Sequence, residues 1–479
     1  MRRSVATLST AKAGFDYCTA RTNPGVGRTH NLFMDRGEGS YLYDADNKKY
    51  LDFACGIGVT NLGHSHPRLI AAVKQQVDKA WHMQVCMGPH TALKAMIEQL
   101  ETIFPPSLNN FSFVTTGAEA VEAALKLSRA ATGRPNVAVL QGGYHGRTVG
   151  AAALTTSKYG YARNLRPLMP GVTVLPLPYS SQLAVPATTS EDAMIDQALT
   201  QCEQLLHQTT HPTEVSMLIA EPVLGEGGYV PLPKRYYKGL REICTKHGIL
   251  LVIDEVQSGF GRTGTLFNFE QLVERDGSGA FVQSQLPDVV VFAKGIANGM
   301  PLAGIVTRQE LAAKQLPGQQ GGTYAANAIA CASATEVIKI MTEKGFIENV
   351  QARSKQLNNG LLKVIEEARL PVQEVRGRGL MIGVQFDAKL EAGTAAKVSA
   401  AACDEGLLLL PTSLFETIRL IPPLNVSAAE VDEGLDKLGR AMKKVLSGAA
   451  GERKVQPCCP EGKQCCAALG PCRHVFAPK

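Results

Sequence analysis

The stretch from residue 111 to residue 292 predicts an α/β fold, with a largely parallel sheet and helices covering both faces. Two observations carry this. Short apolar runs rich in Val, Ile and Leu alternate with segments of strong helix formers. The apolar runs are continuous instead of alternating in polarity, as in strands buried on both faces. In such sheets ligands sit outside the carboxyl ends of the strands.

Taken in order, Tyr41–Phe53 alternates like a hairpin around an Asp46-Asn47 turn. A loop rich in Gly and His, Gly56–His66, precedes helical periodicity over Pro67–Ala80. Phe111–Thr115 is the first expected buried strand, and Ala118–Ala131 the helix after it. Val137–Leu140, Val172–Leu175, Met217–Ala220, Leu250–Ile253 and Val289–Phe292 are further expected strands, with a helix over Arg235–His247. Helical signals then run from Ala325 through Lys344. Residues from about 350 to 447 mix strand and helix signals and end in the amphipathic segment Ala428–Leu446. The polar stretch Glu274–Gln285 is expected to be a surface insertion.

At 479 residues the chain is too long for one ordinary core and calls for a large and a smaller domain. A net charge of +6 without a dense Lys/Arg stripe argues against nucleic-acid binding. The most apolar stretches, Ile249–Ile253 and Val289–Phe292, have strand length, so no membrane span is expected. Met1–Lys12 carries Arg2, Arg3 and Lys12 and no acid. It reads equally as a short mitochondrial presequence or a frayed basic terminus, so mitochondrial and cytoplasmic locations both stay open. Seven of the 12 cysteines are scattered without metal-like spacing, which fits a reducing compartment. Cys458, Cys459, Cys465, Cys466 and Cys472 cluster in the tail before His474. Thiolates near a histidine suit zinc. The flanks offer little to bury, however, so residues 448–479 are expected to be disordered and no metal is assigned.

Three pieces bear chemistry. In LLVIDEVQSGFGRTG an apolar strand ends at Asp254, which puts a carboxylate at the sheet's carboxyl edge. Taken alone, the segment favours a turn or cap acid there. In VVVFAKG a second strand ends at Lys294, and a lysine there is costly unless it is paired or covalently used, or snorkels to solvent. In Thr115-Thr116-Gly117-Ala118-Glu119 a strand opens into a helix whose free amides suit a phosphate. Each piece is weak alone, and the combination is specific.

The segments GIGVTNLGHSHP, GGYHGRT, EPVLGEGG, DEVQSGFGRTG and VFAKGIANGMPLAG resemble the class III, or ω-amino-acid, aminotransferases. The resemblance runs from about Gly25 to about Leu446. It implies a fold-type-I enzyme that uses pyridoxal 5'-phosphate. Such an enzyme has a large domain with a mostly parallel seven-stranded sheet and a small α+β domain built from both chain ends. The implied divisions are an extension over 1–24, small-domain parts over 25–104 and 346–447, the large cofactor-binding domain over 105–345, and the tail. Lys294 would hold the cofactor as a Schiff base and move the proton, and Asp254 would pair with the pyridine nitrogen. Gly117 and Ala118 would bind the phosphate, although many relatives carry serine at the position of Ala118. Tyr144 and Val256 would pack on the ring, Gln257 would bond its phenolic oxygen, and His145 would brace the loop. Thr323 would reach the phosphate of a second subunit, implying a homodimer with shared sites.

The substrate residues resemble those of 4-aminobutyrate aminotransferases. Arg147 would hold the distal carboxylate, because its planar fork suits one. Arg419 would bind the α-carboxylate of a 2-oxo acid such as 2-oxoglutarate, and Glu221 would pair with Arg419 when an ω-amino acid is bound. Ile57 offers no partner for a second charged amine, which leans against ornithine. Acetylornithine, β-alanine and alanine–glyoxylate aminotransferases share most of these motifs. A racemase or decarboxylase on the same fold, and a non-enzymatic binding protein that keeps it, are the wider alternatives.

Overall fold

The computed structural model describes residues 10–186, 188–412, 415–447, 453–457 and 474–478. Its centre is a seven-stranded sheet. Across the sheet lie Asn110–Val114, Ala303–Thr307, Val289–Phe292, Leu250–Asp254, Val215–Ala220, Asn136–Leu140 and Val172–Leu175. Ala303–Thr307 runs antiparallel to both its neighbours, and the other pairs are parallel. Six strands therefore point one way and present their carboxyl ends at one edge.

The continuous apolar runs have a direct structural cause. Successive side chains of a strand point to opposite faces. Leu218, Ala220, Leu251, Ile253, Val290 and Phe292 enter one core. Met217, Ile219, Leu250, Val252, Val289 and Val291 enter the core on the other face. The helix Gly117–Thr132 covers the second face with Ala120, Val121, Ala124 and Leu127. The helices Glu191–Gln208 and Lys234–His247 cover the first with Ile195, Leu206, Tyr236 and Leu240.

The antiparallel strand Ala303–Thr307 was not expected from the sequence. It contains Gly304, where a Cβ would lie 2.5 Å from the Ser112 carbonyl oxygen and 2.8 Å from the Phe292 ring. Close approach of neighbouring backbone and ring demands glycine there, and the demand appears only once the strands are paired.

Both ends of the chain build the flanking sheets. Met34–Glu38, Tyr41–Asp44 and Lys49–Asp52 are antiparallel, and Leu407–Leu408 adds to them in parallel with Lys49–Asp52. Leu410–Thr412, Thr417–Leu420, Met381–Phe386 and Val372–Arg378 form a second sheet. The expected tail disorder is corrected in two places. His474–Pro478 pairs with Val372–Arg378, and Arg453–Pro457 pairs with His474–Pro478. An open edge strand offers a row of unpaired N–H and C=O groups, and the tail strands satisfy them. The five tail cysteines lie outside the described residues. Among the described residues no helix is long and apolar enough to cross a membrane.

Candidate active site

The loops that leave the carboxyl edge bring the candidate residues together. Asp254 closes its strand and is buried, and its Oδ1 accepts the Val256 amide at 3.0 Å. Its Oδ2 lies 2.8 Å from Nδ1 of His145, which leaves the end of a strand two places along the sheet. Burial alone would lower the His145 imidazole, but the hydrogen bond and charge of Asp254 outweigh it and hold its pKa up. His145 therefore braces the carboxylate itself as well as the loop.

Lys294 directly follows Ala293 and sits in the left-handed backbone region, with φ of +49°. Desolvation pushes its amine down to about 8, against the opposing pull of Glu221 and Asp254. Ile57 also sits in that region, at φ 70° and ψ 46°, which is costly for a β-branched residue. Gln257 Nε2 donates to the Ile57 carbonyl at 3.1 Å, and Gln257 Oε1 is buried without a partner among the described residues. This strain gathers where function was expected.

The turn before helix Gly117–Thr132 has a capping box. Thr116 caps the Glu119 amide, and the Glu119 carboxylate takes the amides of Thr115 and Thr116. Gly117 and Ala118, the first two helical residues, keep amides with no intrahelical acceptor. Val256 packs on this turn, since a Cβ on Gly117 would lie 3.1 Å from its methyl group. Gly146 packs there too, at φ +128°, where a Cβ would lie 2.6 Å from Ala118 Cβ. The HGR loop and the turn at Gly117 and Ala118 thus fit only through a glycine.

The expected partner of Arg419 is corrected. Arg419 is buried and donates to Glu226 Oε1 at 2.6 Å. Glu221, five residues earlier in the same motif, instead accepts the amides of Tyr144 at 2.7 Å and Gly225 at 2.9 Å. Glu221 sits directly after strand Val215–Ala220 and ties two loops. Glu226 sits further along the loop, where its carboxylate can reach across to Thr417–Leu420. Burial pushes Glu221 up to about 7, with the charge of Asp254 adding to the rise. Burial would raise Glu226 too, but the charge of Arg419 prevails and lowers it. Arg419 Nε is buried without a partner among the described residues.

Two further residues surround Glu226. The Tyr161 hydroxyl donates to Glu226 Oε2 at 2.8 Å, and Lys158 Nζ lies 3.9 Å from the same oxygen. Neither was singled out in the sequence, and the TTSKYGY segment bears no motif that could have done so. Tyr161 packs edge-on against Tyr144, with ring centroids 5.1 Å apart. Arg147 is exposed, with its guanidinium 5.9 Å from the Tyr161 ring centroid. Thr323 lies on an exposed loop, beside Gly322, whose carbonyl accepts from Gln84 Nε2 at 3.5 Å.

Comparison with known proteins adds to this geometry. The family described as Aminotransferase class-III matches residues 22–442. A 5-aminovalerate aminotransferase of Pseudomonas putida is 37% identical over 417 residues, covering 86% of this chain and 93% of that one. A 4-aminobutyrate aminotransferase of Escherichia coli is 36% identical over 419 residues, again covering 86% and 93%. The solved structure of an amine transaminase from an uncultivated Pseudomonas species, in its PLP-bound form, is similar with a TM-score of 0.78. It is 28% identical and the match covers 88% of this chain and 98% of that one.

Proposed function

From the premise that the chain belongs to the class III aminotransferases and depends on pyridoxal phosphate, we propose that it moves the amino group of an ω-amino acid, 4-aminobutyrate first, to a 2-oxo acid such as 2-oxoglutarate. The Arg419–Glu226 pair carries this reading. A 2-oxo acid brings a carboxylate next to its reacting carbon, and an ω-amino acid does not. A buried arginine left unpaired in the second case would cost about 3–5 kcal/mol. Glu226 supplies the missing charge for one substrate and yields Arg419 to the other. Arg147, at the open side of the site, takes the distal carboxylate.

The residues fit the cofactor. Lys294 has an amine that loses its proton near neutrality, as covalent attachment requires. Gly117 and Ala118 would offer amides to the phosphate, Asp254 would pair with the ring nitrogen, and Tyr144, Val256 and Gln257 would hold the ring. The bound cofactor supplies an electron sink for the carbon that loses its proton. Lys294 would hold the cofactor through its Nζ and, once free as a neutral amine, would carry that proton on Nζ. His145 keeps the Asp254 carboxylate aimed.

The working unit in this reading is a homodimer. Trp81, Met87 and Tyr324 are 68%, 89% and 63% exposed. The rings of His82 and Tyr324 lie 5.5 Å apart, and the Asn327 amide donates to the Trp81 carbonyl at 3.1 Å, so these loops form one surface. A second copy covering it would bury this apolar area and bring Thr323 to its phosphate.

The test is a single-turnover absorbance measurement on the cofactor-loaded enzyme. It is mixed in turn with 4-aminobutyrate, 5-aminovalerate, β-alanine, N-acetylornithine and ornithine. Fastest conversion of the cofactor by 4-aminobutyrate is expected. Fastest conversion by another amine would overturn the substrate and keep the reaction. Conversion by none would move the protein to another reaction on this fold.

A further inference from the structure

A second cluster of chemistry-bearing side chains lies away from this site. The helices Glu191–Gln208 and Lys234–His247 converge at their carboxyl ends, just before the strands Val215–Ala220 and Leu250–Asp254 begin. The cluster is therefore at the amino edge of the sheet, opposite the candidate active site. Glu203 and His207 stand one turn apart on the first helix, on the same face. His247 is the last residue of the second. Its Nε2 lies 3.0 Å from Glu203 Oε2, and His207 Nε2 lies 3.9 Å from the same oxygen. One ligand atom from each of the three falls within 4.8 Å of the others. The His211 ring centroid is 6.3 Å from that of His207. Three of the chain's ten histidines thus share one corner, which packing of helices alone does not require.

We propose that Glu203, His207 and His247 bind a zinc-class divalent cation. Two imidazoles and a carboxylate are a familiar zinc donor set, and a tetrahedral ion with bonds of about 2.0–2.1 Å needs its donors about 3.4 Å apart. The two distances to Glu203, 3.0 and 3.9 Å, bracket that value and all three donors lie within 4.8 Å, so side-chain rotations can close the site. The fourth position goes to water or to His211. The Glu203 carboxylate is already divided for this purpose. Its Oε1 faces Lys246 Nζ at 2.9 Å, and its Oε2 faces the imidazoles. Lys246 need not move. The surroundings favour positive charge, because two helix carboxyl ends meet there. Arg134 already answers that field, with Nη1 donating to the carbonyls of His247 at 2.9 Å and Gly248 at 3.0 Å. The ion ties together two helices that cover one face of the sheet. It takes no part in amino transfer, so the proposal stands apart from the substrate reading.

The experiment uses the full-length, cofactor-loaded enzyme, stripped with a chelator and dialysed. Zinc chloride is titrated calorimetrically into the wild type, His207→Ala and Glu203→Gln, and melting temperatures are taken with and without zinc. His207 is more than half exposed and Glu203→Gln keeps the shape, so both variants should fold, which their cofactor absorbance checks. The wild type is expected to bind one more equivalent than His207→Ala, and Glu203→Gln to bind at least tenfold more weakly. Zinc should raise the melting temperature of the wild type more than that of either variant. Zinc held by the tail cysteines would be common to all three proteins and cancels. Equal stoichiometry and affinity in all three, or no zinc bound by the wild type, would overturn the site and leave an ion-pair cluster.

Discussion

Arg419 and Glu226, 193 residues apart in the chain, meet at 2.6 Å beneath the loops of the candidate active site. Because Glu226 neutralises a buried guanidinium, its removal should hurt one half-reaction more than the other. Glu226→Gln is expected to slow conversion by 4-aminobutyrate about 10- to 100-fold, about 1.4–2.8 kcal/mol, and to slow the 2-oxo acid half-reaction less. Single-turnover rates for the two halves check this. Equal losses would mean that the pair is only structural.

Tyr161 acts on the same carboxylate from the other side. Arg419 holds Oε1, and Tyr161 holds Oε2 at 2.8 Å. When a substrate carboxylate takes Arg419, Tyr161 is what Glu226 keeps. Tyr161→Phe is therefore expected to slow the 2-oxo acid half-reaction by a further factor of about five relative to the ω-amine half, about 1 kcal/mol. A shift of the ratio in the opposite direction would contradict the arrangement.

Lys294 sets a pH dependence. Burial penalises its ammonium form and lowers the pKa to about 8. The reactive species is the neutral amine. Uptake of cofactor by the cofactor-free chain should rise roughly tenfold per pH unit below 8 and level off above it. A rise continuing towards pH 10 would indicate an ordinary exposed lysine.

His145 predicts a pH-dependent stability. Its pKa is raised in the folded protein, so its protonated form is favoured by folding. The stabilisation is fully present below the unfolded value of about 6.5 and is lost as pH rises through the raised folded value. In urea denaturation, the gap between the wild type and His145→Gln should therefore shrink as pH increases. A gap that widens would sink this assignment.

Gly146 packs the HGR loop against the turn at Gly117 and Ala118. An added methyl would meet Ala118 Cβ at 2.6 Å, on a backbone at φ +128°. Gly146→Ala is expected to cost about 1–3 kcal/mol and to weaken cofactor binding, seen in the melting temperature and in a cofactor titration. Normal cofactor affinity would mean that the turn can yield.

The sequence by itself determined the parallel core and the strand ends beside which many of the candidate site residues stand. Strands buried on both faces leave unbroken apolar runs, so the ends at Asp254 and Phe292 were legible, and with them Lys294 just beyond. The motif-bearing turns at Gly117 and Tyr144 stood beside such ends and were legible for the same reason. Tertiary structure decided what lies across the chain. Glu221 and Glu226 share one motif, and only the path of their loop decides which carboxylate reaches Arg419. Tyr161, the antiparallel strand Ala303–Thr307 and the tail strands were likewise unmarked. Period and burial are properties of neighbours in the chain and leave a local trace. The choice of a partner 193 residues away is made by packing, and no local pattern records it.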